Sequence, residues 1–174
     1  MIGTPLRLLM LALAVTVGVL GVRVGKPVIG GMGISVAATL LLTWIRYAGV
    51  MAAGRHYRAG RKGAAWRELG FVPFHGRLLQ KSHRAYFLLL RAAYLLDQEE
   101  WAAVLREGDA VLALQKIKAA NYSTAHGALG QARLHLGEID AAEMHLRQAR
   151  DIPHKPATDR LLLRLETGIK KARA

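Results

Sequence analysis

Seven histidines and several tight acidic clusters are the residues of this chain whose types could do acid–base or metal chemistry, and their spacing argues against both. His126 and His135 are nine residues apart, so on a helix turning about 100° per residue they point to opposite sides and cannot share a ligand. His135 and His145 fall on successive helical stretches and could meet, but two imidazoles leave a zinc ion short of a full ligand set. Ser82-His83 lacks the strand-to-helix turn of a nucleophile elbow, and Ser123 with His126 fits helix-start chemistry. Glu99, Glu100, Glu107 and Asp109, then Glu138, Asp140 and Glu143, gather near expected helix starts, where the helix dipole favours negative charge. Gly25-Lys26 invites a phosphate-loop reading, but that loop needs glycine five residues earlier and Ser or Thr next, where Leu20 and Pro27 stand. With no cysteine, disulfides, thiolate metal sites and a cysteine nucleophile are excluded. These residues predict no enzyme, no cofactor and no metal.

The elements that would carry any other kind of site begin with two apolar runs. From Leu6 to Val22 the only charge is Arg7, and from Val28 to Ile45 there is none. Each approaches the roughly 20 residues a helix needs to cross about 30 Å of hydrocarbon. Gly25, Lys26 and Pro27 separate them, so residues 1–47 are expected to form a transmembrane hairpin with spans at about 6–22 and 28–45. Trp44 and Tyr47 suit an aromatic belt, and Arg7, Arg23 and Arg46 can snorkel to headgroups. A cleaved signal peptide would need small residues at a cleavage site, whereas Gly-Val-Arg-Val-Gly follows Leu20. Ala14 with Gly18, and Gly33 with Ala37, are spaced to let the two helices approach closely at similar depth.

The net charge of +13 is unevenly spread: +3 over residues 1–45, +8 over 46–84, −2 over 85–152 and +4 over 153–174. Positive residues beside a span stay cytoplasmic, and the basic stretch after the hairpin outweighs Arg23 and Lys26 in its turn. The expectation is a two-pass protein of the bacterial cytoplasmic membrane with both termini cytoplasmic. Residues 48–83 then read as a basic juxtamembrane connector, its glycines and Pro73 discouraging one uninterrupted helix. Arg55, Arg58, Arg61, Lys62, Trp66 and Arg67 are its expected anionic-lipid contacts, each cation worth about 1 kcal/mol near such a surface. The same basic and aromatic mixture could track nucleic acid, which ranks below lipid because a membrane begins beside it.

Residues 84–174 have the periodicity of a small all-α domain. An apolar helix ends near Leu96; Asp97, with Glu100 three residues on, is placed to cap a helix over about 99–116. Further helices are expected over 121–136, stopped by Gly137, and over 138–151. A last one, from Thr158 or Asp159 to about Lys171, carries Leu161, Leu162, Leu165 and Ile169 on its apolar side as a cap.

Leu129-Gly130, Gly137, Ala142, Leu146, Ala149 and Pro153 make residues 123–153 resemble a tetratricopeptide repeat, with His126 and Arg133 where that family has Trp and Tyr. A weaker copy aligns Leu88, Ala92, Leu95, Val104 and Val111; its spacing of thirty-eight residues exceeds the family's 34 and puts extra residues near 117–120. In layout alone, a two-span anchor, a basic stretch and cytoplasmic repeats, the chain is similar to bacterial HemY-type membrane proteins. The resemblance implies a membrane-tethered adaptor or scaffold that holds a protein partner on the concave face of its first helices. Tyr86, Leu89, Ala93, Leu96, Thr124, Gln131 and Leu134 are the implied contacts, with Gly127 among them, and an apolar helix or extended segment the implied guest. Two alternatives stay open: a structural subunit of a membrane complex whose groove is covered by its own connector, and a protein that binds anionic lipid or nucleic acid.

Overall fold

The computed structural model describes residues 4–72 and 76–174, and the side chains of 12–43, 47–72 and 76–174. All regular structure among them is helical: α1 (Thr4–Arg23), α2 (Pro27–Arg58), α3 (Lys62–Gly70), α4 (Lys81–Asp97), α5 (Trp101–Leu112), α6 (Ala119–His135), α7 (Ile139–Arg150) and α8 (Pro156–Arg173). Two compact units divide the chain, residues 1–48 and 49–174, with α2 beginning in the first and ending in the second.

In the first unit α1 folds back on α2 through a turn at Gly25, whose φ of +68° suits glycine. Lys26 N–H donates to the Gly21 carbonyl at 2.9 Å and closes α1. The helices touch through glycine: a Cβ on Gly33 would lie 2.5 Å from the Gly18 nitrogen, and one on Gly21 would lie 2.5 Å from that of Gly30. Gly18 and Gly33 belong to the small-residue pairs expected to meet; Gly21 and Gly30 extend the seam toward the turn. Ala37 is buried as well, and most of the other described side chains of this hairpin face outward. Leu13, Val28 and Met32 are 65%, 74% and 66% exposed, and many more of its aliphatic side chains are exposed beside them. Thr16, Thr39 and Thr43 donate their hydroxyls to carbonyls four residues back, so these three polar side chains are satisfied within their own helix. Among the described residues one helix, α2, is long and apolar enough to cross a membrane, and the described side chains of α1 form a shorter apolar stretch, Ala12–Arg23. The side chains of Arg7, Trp44 and Arg46 lie outside the described residues.

The second unit is built from one turn used three times. Gly60, Glu99 and Gly137 have φ of 74°, 59° and 79°, and stand 39 and 38 residues apart. After each, the next amide donates to the carbonyl five residues back: Arg61 to His56, Glu100 to Leu95, Glu138 to Arg133, at 2.9 to 3.0 Å. The residues at 61, 100 and 138 share one backbone conformation, with φ −86°, −85°, −87° and ψ 65°, 66°, 67°. Around this turn buried residues recur in register. Ala53, Ala92 and Gly130 precede it by seven positions; Ala65, Val104 and Ala142 follow by five, Leu69, Gly108 and Leu146 by nine, and Val72, Val111 and Ala149 by twelve. Three helical hairpins result: the end of α2 with α3, α4 with α5, and α6 with α7.

Residues 49–72, read from sequence as part of a connector, are thus the first hairpin of the domain. α2 runs through Gly49 and Gly54 without a break, because those glycines serve packing. A Cβ on Gly49 would lie 2.9 Å from the Glu68 carbonyl oxygen, and one on Gly54 would strike the Tyr86 ring. Pro73 and Phe74 lie outside the described residues. Asp97 ends α4 and pairs with Lys62 at 2.7 Å, so it does not cap α5; Glu100 occupies that position without a side-chain bond. α8 packs on α6 and α7, burying Leu162, Leu165 and Ile169 against Ala142, Leu146 and Ala149. Ser123, inside α6, is fully buried and donates its hydroxyl to the Ala149 carbonyl at 2.8 Å.

Candidate functional site: a groove along the first helices

The first helix of each hairpin turns one face to a shared groove of about 660 Å3. Tyr57 and Arg58 come from the end of α2; Tyr86, Leu89, Leu90, Ala93, Leu96 and Asp97 from α4; Asn121, Thr124, Ala128, Gln131 and His135 from α6. Trp101 at the start of α5 and Lys155, Thr158, Arg160, Leu161 and Arg164 around α8 complete it. The floor is aliphatic. Its edges are polar and basic, with four cations, Arg58, Lys155, Arg160 and Arg164, against one carboxylate, Asp97, already held by Lys62.

Hydrogen bonds fix several walls. Arg58 donates to the Tyr86 hydroxyl at 3.4 Å, the Thr124 and Thr158 hydroxyls meet at 3.0 Å, and the Gln131 amide donates to the Leu161 carbonyl at 3.4 Å. His135 lies flat on Trp101, ring centroids 4.1 Å apart, which takes it away from His145. Burial pushes the Tyr57 hydroxyl above its usual range, as does the nearby Asp97, while Lys62 and Arg164 pull it back. The hydroxyl therefore stays neutral at physiological pH and available as a donor.

Six of the seven residues assigned to a partner line this groove: Tyr86, Leu89, Ala93, Leu96, Thr124 and Gln131. Leu134 does not. It packs on α8, where a Cβ on Gly168 would lie 2.5 Å from its Cδ2, and Gly127 likewise faces Leu161 and Leu162. No described residue of 70–84 lines the groove. Of the residues assigned to lipid, Arg55, Arg61 and Arg67 are exposed, Arg58 is at the groove, Lys62 is paired with Asp97, and Trp66 stacks on Tyr94 with centroids 4.1 Å apart. The α8 contribution was not read from sequence, although Arg160 and Arg164, four residues apart, share a helix face with no acidic neighbour four residues away.

The α7–α8 flank, which lends the groove nothing from α7, handles charge differently. Glu143 takes Arg147 and Arg173, Glu166 takes Arg150 and Lys170, and Asp140 also takes Arg173. Between α6 and α7, the His126 and His145 Nδ1 atoms stand 3.1 Å apart, one donating to the other. Burial holds both imidazoles below their ordinary value; His126 also feels His145, and His145 feels Arg133, with Asp109 and Gln148 acting in the opposite sense. Among the described residues no three metal-ligating side chains converge. Compared with known proteins, the chain matches no family model, no curated protein and no solved structure significantly.

Proposed function

We propose that this protein is a membrane-tethered adaptor of tetratricopeptide type, whose groove holds a segment of a partner protein at the cytoplasmic face. The observation that carries it is the open groove lined by the first helices of consecutive hairpins, in a chain that also bears an exposed apolar helix of membrane-spanning length. The recurrence of small and aliphatic residues at 53, 65, 69 and 72, at 92, 104, 108 and 111, and at 130, 142, 146 and 149 supports the repeat reading. Three hairpins and a capping helix meet the minimum such arrays need. In this reading α1 and α2 cross the bilayer as a pair, in the cytoplasmic membrane of a bacterium, with both termini inside and Lys26 at the far side. An apolar surface as continuous as that of the hairpin is a liability in water and matches lipid. Arg55, Arg61 and Arg67 add attraction to anionic headgroups.

The test is site-specific crosslinking from Leu89 and Gln131 in native membranes, with identification of the captured chain. One specific protein, lost on Leu89→Asp, supports the adaptor. Crosslinks confined to the protein's own residues would replace it with a structural subunit. A tag at Gly25 accessible from the cytoplasm would refute the topology.

A further inference from the structure

We infer that the groove takes an acidic amphipathic segment of the partner, with apolar side chains on Leu89, Leu96 and Leu161 and carboxylates on Arg58, Arg160 and Arg164. This rests on the adaptor reading and names the chemistry of its guest. What sets the groove apart is that cations without carboxylate partners surround an apolar cleft. Several other arginines of the domain have carboxylate partners: Arg91 with Glu107, Arg133 with Glu138, and Arg147, Arg150 and Arg173 on the α7–α8 flank. Arg55, Arg61, Arg67 and Arg106 form no ion pair among the described residues, but none of them lines the groove. Around the groove, Arg58, Lys155, Arg160 and Arg164 form no ion pair among the described residues, and the one carboxylate there is held by Lys62. Like charges gathered on a concave wall focus a positive field into the opening, which raises the encounter rate and affinity of an anionic guest.

The apolar floor narrows the class further. A purely polyanionic ligand would leave the leucines without apolar partners, whereas a segment alternating acidic and apolar side chains at helical spacing satisfies floor and rim together. Salt bridges at the rim would set orientation and on-rate, and the leucines would set residence.

The experiment uses the full chain in neutral detergent and three labelled, end-capped helical peptides that share a leucine stripe and carry glutamate, lysine or serine elsewhere. The glutamate peptide is expected to bind at least about tenfold tighter than the lysine peptide, and to weaken as salt is raised. Arg160→Glu with Arg164→Glu is expected to reduce that binding about tenfold or more, and the milder Arg160→Gln with Arg164→Gln to reduce it less. Both positions are exposed, so circular dichroism and melting are expected to stay unchanged. Arg147→Glu on the flank is the control and leaves binding as it was. Equal binding of the glutamate and lysine peptides, or equal loss from the flank control, overturns the inference. So does displacement of the peptide by phosphatidylglycerol vesicles, with the same dependence on Arg160 and Arg164, since the groove would then be a lipid site. A specific crosslinked partner whose contact segment is neutral or basic leaves the adaptor standing and this inference refuted. Crosslinks to the protein's own chain alone refute the adaptor.

Discussion

The groove and the α7–α8 flank are two surfaces of one small domain that treat positive charge in opposite ways. On the flank, cations and carboxylates alternate, and Glu143 and Glu166 each hold two partners. At the groove four cations face an apolar floor with no free carboxylate. α8 belongs to both: Arg160 and Arg164 point to the groove, Glu166, Lys170 and Arg173 to the flank, and Leu162, Leu165 and Ile169 to the core between them. A self-contained surface completes its ion pairs within the chain. A surface that leaves them incomplete around an apolar cleft is shaped for something outside it.

The comparison is broken most severely from below. Leu129 is fully buried on α6, so Leu129→Ala is expected to cost about 2–5 kcal/mol in chemical denaturation and to impair both surfaces together. Retained stability with lost peptide binding would mean that Leu129 serves the groove alone.

Acidification comes next. His126 and His145 are held below 6.5 in the fold, so the unfolded chain takes up more protons as pH falls beneath that value. Their contribution is present above pH 6.5 and is lost as pH falls toward their depressed folded-state values. His154 acts oppositely: the Ile152 carbonyl and Asp159 raise it, so its contribution is present below 6.5 and is lost as pH rises through its raised value. In a His154→Gln background, thermal melts are expected to show stability falling with acid, and His126→Asn to flatten part of that slope. A slope unchanged by His126→Asn would assign the acid response elsewhere.

Glu99 occupies a left-handed position where the other two hairpins have Gly60 and Gly137, and its side chain is exposed. Glu99→Gly is expected to raise stability by about 0.5–1 kcal/mol without altering peptide binding, because glycine carries no Cβ penalty there. This separates stability from the groove.

On the flank, Glu166→Ala removes two surface pairs and is expected to cost a small loss of stability that shrinks in high salt. Smallest of all is Arg164→Gln at the groove, expected to change stability by under about 0.5 kcal/mol because no ion pair is broken. A flank-sized loss there would show that Arg164 has a partner within the fold, and the contrast between the surfaces would disappear.

Much of the architecture is legible in the residues. The apolar runs and their small residues give the hairpin seam at Gly18 and Gly33; Gly137 gives its turn; the 3.6-residue period gives the helices and six groove residues on α4 and α6. The first hairpin was hidden because glycines and basic residues in residues 49–72 mimic a linker, while Ala53, Ala65, Leu69 and Val72 are too small and few to stand out. The turn at Glu99 was hidden because glutamate carries no signal for a positive φ, and acidic residues there read equally well as a cap.

Sequence by itself determined the helical class, the membrane-compatible apolar surface and the absence of cysteine chemistry, since these follow from local composition and periodicity. Tertiary structure decided the rest: that residues 49–72 complete a three-hairpin array, that His145 meets His126 and not His135, and that Arg160 and Arg164 join Arg58 at one groove. Those outcomes depend on how helices far apart in the chain pack together, and no local pattern encodes which of a helix's faces a distant neighbour will cover.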